Sequence, residues 1–255
     1  MSERKRAIVF GAHNDDPEYG AGGMTALLNE RDWEILYVCV AHKRRLFKRD
    51  AGTERERCFT DPVRLAEYRK QSTDSAEILG ASKVFANESD NKFYFWGDEE
   101  VRRLVDILED FMPDLAFTHW VRDNHYEHVE TAKITMLALS YCGIGCEVHA
   151  YEAGLWQSMV YFIPDFTVNI TPVMGRVEQS LLCYSQPSAN GAGLVKEKKA
   201  AANLRGHMSG YEWGESFKVL RWPTGSPELI LPKLLGRDYR WGGGTQYMWG
   251  DQYTF

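Results

Sequence analysis

Apolar positions along this chain fall into short continuous runs and longer stretches with helical spacing. Residues 7–10 and 34–41 are almost wholly apolar, as expected for strands buried on both faces. Between them, Met24, Leu27 and Leu28 recur at helical spacing and predict a helix over about 22–30. Residues 61–79 repeat the helical pattern through Leu65, Tyr68, Ala76 and Leu79, and Gly80 stands where a C-terminal cap would. Residues 83–86 read as a short strand. Residues 99–111 read as a helix with Val101, Leu104, Leu108 and Phe111 inward, stopped by Pro113. A strand over 115–118 and a helix over 128–142 follow. Strands alternating with helices predict an α/β fold, a mostly parallel doubly wound (Rossmann-like) sheet with helices on both faces.

The later pattern is less regular. Residues 148–155, 158–162 and 166–170 read as extended, 172–184 as a helix, and 196–207 as a charged helix ending near Gly206 and Gly210. The tail from Tyr239 is aromatic and Gly-rich, which suits packing on its own or a partner subunit. No Pro-, Gly- or Ser-rich linker divides the chain and no repeat is visible, so residues 1–255 are expected to form one domain. The charged stretch 43–57 reads as a solvated loop, with a substrate-covering flap as the sharper alternative.

Composition narrows the class. Of 255 residues 44% are hydrophobic, enough for a sizeable core, and the net charge of -6 gives no global basic field for nucleic acid. No apolar run is long enough for a membrane span, and the charged start lacks the apolar stretch of a secretory signal. Five cysteines without a Cys-x-x-Cys pair read most simply as unpaired thiols in a reduced, cytoplasmic chain.

Two loops carry the candidate chemistry. The first strand breaks into Ala12-His13-Asn14-Asp15-Asp16-Pro17-Glu18-Tyr19-Gly20, placing an imidazole and two adjacent carboxylates at a strand end. Ligands in open α/β sheets bind there. Adjacent carboxylates repel, and a divalent cation removes that cost. His13 and Asp16 can reach one ion while Asp15 serves as a base; a surface turn of Asn and Asp is the plainer alternative. After the strand at 115–118 comes Arg122-Asp123-Asn124-His125-Tyr126-Glu127-His128, with two histidines three apart at a helix start. Two strand ends of a parallel sheet can bring His13, Asp16 and His128 together, a two-His, one-carboxylate set with room for water. Asp15 would then accept the proton of that water and His125 would stabilise the oxyanion and protonate a leaving amine. Surface helix-cap histidines are the alternative here.

At these loops the chain resembles the LmbE-like, or PIG-L-type, N-acetylglucosamine deacetylases, whose first motif is Ala-His-Pro-Asp-Asp-x-Glu-x-Gly and whose second is His-Pro-Asp-His, often after Thr-His-Trp and an Asp. Here the second stands as Thr118-His119-Trp120, Asp123 and His125-Tyr126-Glu127-His128. Weaker echoes lie at Ala76–Gly80, Tyr151-Glu152, Pro164, Ser185-Gln186 and 214–217. The resemblance implies zinc, or another divalent metal, on His13, Asp16 and His128, with Asp15 as base and His125 as second acid. It further implies Arg69 and Asp90 as sugar-binding residues. The activity it implies is zinc-dependent removal of an N-acetyl group from an N-acetylglucosamine-type sugar or conjugate. The alternatives are an amidase acting on a thiol-sugar conjugate and an inactive sugar-binding relative. Relatives often form oligomers, which the aromatic tail permits. Two departures stand out: Asn14 for Pro, expected to loosen the loop, and Tyr126-Glu127 for Pro-Asp, which leaves the partner of the longer Glu127 open. A dinucleotide-binding oxidoreductase is disfavoured, because the first loop lacks Gly-x-Gly-x-x-Gly and its carboxylates would repel a pyrophosphate.

Overall fold

The computed structural model describes residues 4–40, 51–86, 97–154, 162–186 and 189–241. Its strands are β1 (Arg6–Gly11), β2 (Glu34–Cys39), β3 (Ser82–Phe85), β4 (Leu115–His119), β5 (Glu147–Tyr151), β6 (Phe166–Asn169), β7 (Ser185–Gln186), β8 (Ala189–Asn190), β9 (Gly214–Arg221) and β10 (Tyr239–Trp241). Its helices are α1 (Asp16–Asn29), α2 (Glu54–Thr60), α3 (Pro62–Leu79), α4 (Asp98–Phe111), α5 (Tyr126–Tyr141), α6 (Met174–Leu181), α7 (Gly191–Ser209) and α8 (Ile230–Leu235). One eight-stranded sheet runs in the order β10-β6-β9-β5-β4-β1-β2-β3, and β7 pairs with β8 apart from it. From β3 to β5 every pairing is parallel; β9, β6 and β10 extend that edge with antiparallel pairings. The fold is thus the mostly parallel α/β sheet that the alternating pattern predicts.

The continuous apolar strands are explained by two cores. Successive side chains of a strand point to opposite faces. Ala7 and Val9 of β1 enter a core that includes Met24, Leu27 and Leu28 of α1 and Leu79 of α3. Ile8 and Phe10 enter the opposite core, with Leu104 and Leu108 of α4 and Ile134 and Ala138 of α5. Chain direction across the sheet reverses between β1 and β4, so the loops after these two strands diverge and open a crevice between them.

Several boundaries differ from the sequence pattern. Gly80 caps α3 in the left-handed conformation (φ 84°), as expected. α1 starts at Asp16 rather than near 22, with non-helical geometry at Ala21; the stretch after that break is the part the apolar spacing detected. Residues 54–57 are helical in α2, where Glu54 pairs with Arg57 and Arg64; residues 43–50 lie outside the described residues. α7 begins at Gly191, and β5 ends at Tyr151. The expected strand at 158–162 lies outside the described residues except for Phe162, which is not in a strand. β9 and β10 give weak signals. In β9, Glu215 and Ser216 are buried because each has a partner, Lys198 and Thr167, so the strand does not read as apolar. The aromatic tail packs on its own chain as far as Trp241: Tyr239 and Trp241 flank Phe166. Among the described residues no helix is long and apolar enough to cross a membrane. Cys39, Cys142, Cys146 and Cys183 are unpaired thiols.

Candidate metal centre and active site

The loop after β1 is closed by its own carboxylate. Asp16, the first residue of α1, accepts from the backbone N–H of His13 at 2.6 Å through Oδ2. Pro17 follows at a position where a missing N–H costs nothing. The loop after β4 is closed in the same way, with Asp123 Oδ1 accepting from the N–H of His125 at 2.7 Å. These two devices face each other across the crevice.

They bring His13, Asp16 and His128 together, with the three residues 8%, 7% and 2% exposed. His13 Nδ1 lies 3.2 Å from Asp16 Oδ2, and His128 Nε2 lies 3.5 Å from Asp16 Oδ1. These two distances end on different oxygens of Asp16; one ligand atom from each of the three residues lies within 4.8 Å of the others, close enough for them to share one ion. The remaining nitrogen of each imidazole meets a carboxylate: His13 Nε2 with Glu127 Oε2 at 2.7 Å, and His128 Nδ1 with Asp123 Oδ2 at 3.0 Å. Outer carboxylates of this kind fix the tautomer and orientation of ligating histidines. The partner of Glu127, open from the sequence, is His13.

The charges of the cluster are strongly interdependent. Burial works to raise the Asp16 carboxyl, yet His128, His13 and His119 hold it well below the usual range. Burial works to lower His13, but Asp16 and Glu127 push it up to about 10; His128 is raised by Asp16 and Asp123 against its own burial. His119, buried and beside His128, falls to about 4. Its Nε2 accepts from the Ala12 N–H at 2.9 Å and also stands 3.1 Å from Asp16 Oδ2, while its buried Nδ1 has no partner. Nε2 cannot both accept from Ala12 and donate to Asp16. A cation on Asp16 relieves that conflict by drawing off the carboxylate charge, so the residues present fit a divalent ion.

His125 flanks this cluster, and Asp15 directly precedes Asp16 in the chain. Asp15 is the N-cap residue of α1, but its side chain makes no cap bond. His125 is likewise the N-cap of α5 without a side-chain cap bond, so the helix-capping alternative does not account for its imidazole. Its ring packs against both histidines of the cluster, with centroids 5.0 Å from His13 and 4.5 Å from His128. Arg69 is not in the cluster; its guanidinium lies 5.3 Å over the Phe85 ring at the end of β3. Asp90 lies outside the described residues.

Asn14 does not leave the loop slack. Its carbonyl accepts from Lys83 Nζ and Tyr184 Oη, each at 2.5 Å, and from Ser72 Oγ at 3.1 Å. Its side-chain Oδ1 accepts from Cys39 Sγ at 3.1 Å. The expected loosening is therefore offset by contacts from four other segments. Sequence reasoning did not assign His119, Lys83 or Tyr184 to the site. His119 could have been found from its place at the end of a central parallel strand; Lys83 and Tyr184 carry no local signal.

Comparison with known proteins gives the family of the chain and the structures whose fold it shares. The model of the PIG-L family, described as GlcNAc-PI de-N-acetylase, matches residues 8–139, just over half of the chain and the part that holds every residue of the cluster. A 4-oxalmesaconate hydratase of Pseudomonas putida is 29% identical over 200 residues, covering 71% of this chain and 74% of the relative. The crystal structure of a 4-carboxy-2-hydroxymuconate hydratase from Pseudomonas putida superposes with a TM-score of 0.69 at 21% identity, over 88% of this chain and 99% of that one. The N,N'-diacetylchitobiose deacetylase from Pyrococcus horikoshii superposes with a TM-score of 0.66 at 19% identity, over 86% and 84%. With the family match spanning both loops of the cluster, the chain belongs to the PIG-L family of GlcNAc-PI de-N-acetylase-like proteins.

Proposed function

We propose that this chain is a metal-dependent N-deacetylase acting on an N-acetylglucosamine-type sugar or conjugate. The observation that carries the reading is the buried His13–Asp16–His128 set with Asp15 and His125 beside it, in a chain whose family is described by a de-N-acetylase. His13, Asp16 and His128 hold the ion. Zinc or another divalent ion bound there supplies Lewis acidity and lowers the pKa of a coordinated water toward about 7. Asp15 receives a proton from the attacking water. His125, packed against both ligand imidazoles, stabilises the oxyanion and delivers a proton to the departing amine. Glu127 and Asp123 keep the ligand imidazoles turned the right way. Arg69 and Asp90 are the proposed sugar contacts.

A second reading is hydration of a conjugated carboxylic acid, favoured by the 29% identity to a hydratase. The same base, acid and ion would add water across an activated carbon–carbon double bond. One experiment separates the two. Zinc-loaded protein is incubated with N-acetylglucosamine conjugates and, separately, with 4-carboxy-2-hydroxymuconate, and acetate release and loss of the conjugated chromophore are followed. Acetate release supports deacetylation; chromophore loss without acetate release from any conjugate overturns it in favour of hydration.

A further inference from the structure

α1 is not one continuous helix. At Ala21 its backbone leaves helical geometry (φ -137°, ψ 20°). In an unbroken helix the Gly23 N–H would donate to the Tyr19 carbonyl and the Met24 N–H to the Gly20 carbonyl. Instead both donate to the carboxylate of Glu215, to Oε1 and Oε2 at 2.7 Å each. The Tyr19 carbonyl accepts from Lys198 Nζ at 2.6 Å, and the same ammonium lies 2.7 Å from Glu215 Oε1. An ion pair from α7 and β9 is therefore inserted into the hydrogen-bond ladder of α1.

The break separates two pieces with different work. The first turn, residues 16–20, carries Asp16 directly after Asp15. The second piece, residues 22–29, packs into the core through Met24, Leu27 and Leu28. Small residues make the junction possible. A Cβ on Gly20 would stand 2.1 Å from the Tyr151 ring, and one on Gly23 would stand 2.4 Å from Ile170 Cγ2. Side chains of Lys198 and Glu215 are 5% and 2% exposed. Burying such a pair is costly, and apolar replacements are often as stable. An unbroken helix would satisfy the same backbone groups without any buried charge. What the break changes is the direction in which the first turn meets the crevice.

We propose that Lys198 and Glu215 are positioning residues that set the placement of Asp15 and Asp16 by holding the first turn of α1 off the axis of the remainder. The proposal rests on the metal reading above, since Asp16 is a ligand in it. Neither residue touches a proposed ligand side chain; both act through the backbone of Tyr19, Gly23 and Met24.

The test uses Glu215→Gln, Lys198→Met and the double variant of the full chain, with zinc affinity measured by competition against a chelating dye and thermal midpoint measured on the zinc-free proteins. Positioning predicts that each single variant binds zinc about 10- to 100-fold more weakly, the usual cost of disturbing an outer support. Because the pair acts as a unit, the double variant binds no more weakly than the worse single one. A purely structural tie lowers the thermal midpoint and leaves zinc affinity within twofold of wild type; that result overturns the proposal. Lys198→Met keeps the carboxylate on the Gly23 and Met24 N–H groups, so it decides the matter if Glu215→Gln does not fold. Wild-type protein that binds no zinc would instead overturn the metal reading itself.

Discussion

Glu127 Oε2 stands 2.7 Å from Nε2 of His13, so the second motif of the sequence orients a side chain of the first. The contact joins the N-terminus of α5 to the loop after β1, across the crevice between β4 and β1. The glutamate, one methylene longer than the aspartate of the motif that this loop resembles, reaches over that crevice to the His13 imidazole.

Glu127→Gln keeps the shape of the contact and removes its charge. The variant is expected to bind zinc about 10- to 100-fold more weakly while remaining folded. Chelator competition together with far-UV circular dichroism checks this; unchanged affinity would show that the charge on Glu127 has no part in holding His13.

His128→Ala removes one of the three proposed donors and leaves a buried cavity beside His119, whose ring stacks on His128 at 4.0 Å. Zinc content of the purified variant, measured by elemental analysis, is expected to fall to background. Full occupancy would sink the ligand assignment.

Asp15→Asn should leave zinc in place and lower kcat by a factor on the order of 100 or more, the usual contribution of a general base. Steady-state kinetics on protein of verified metal content decides it. Near-normal turnover would remove Asp15 from the mechanism. His125→Ala is expected to keep zinc as well and to flatten the alkaline limb of the pH profile, a limb that belongs to the coupled site as a whole.

The metal-free protein should lose stability on the alkaline side. His13 has a folded pKa of about 10 against 6.5 ordinarily, and His128 is also raised. Their contribution is fully present below 6.5 and is lost as pH climbs toward about 10. His119, lowered to about 4, is neutral in both folded and unfolded chains above 6.5 and does not act in that window. Zinc requires neutral imidazoles, so its affinity rises over the same range. Thermal melts from pH 6.5 to 10 should show the midpoint of chelated protein falling relative to that of zinc-loaded protein. Parallel curves would contradict the charge balance drawn around Asp16.

The first half of the fold was legible because its strands are buried on both faces and its helices have one apolar side, as in Ile8 and Phe10 against Leu104 and Leu108. The five residues His13, Asp15, Asp16, His125 and His128 stood out as a proposed site because each loop concentrates ligand-type side chains at a strand end. Glu215 was not, since a buried carboxylate in a strand looks like a surface residue until Lys198 is seen against it. The break at Ala21 was invisible for the same reason: its cause lies in α7 and β9. Lys83 and Tyr184 were missed because they serve the Asn14 carbonyl, and a backbone acceptor leaves no trace in a side-chain pattern.

That carbonyl has a consequence for the order in which the protein becomes competent. Its three donors are spread from Ser72 to Tyr184, and the Glu215 carboxylate that takes over the α1 ladder comes later still. On the ribosome, all three proposed ligands are made by His128, together with Ser72 and Lys83, and at ~5–20 residues per second Tyr184 and Glu215 follow on the order of several seconds later. In the proposed metal reading, the loop after β1 gains its last supports only when the second half of the chain arrives, so full affinity for the ion is expected late in biogenesis.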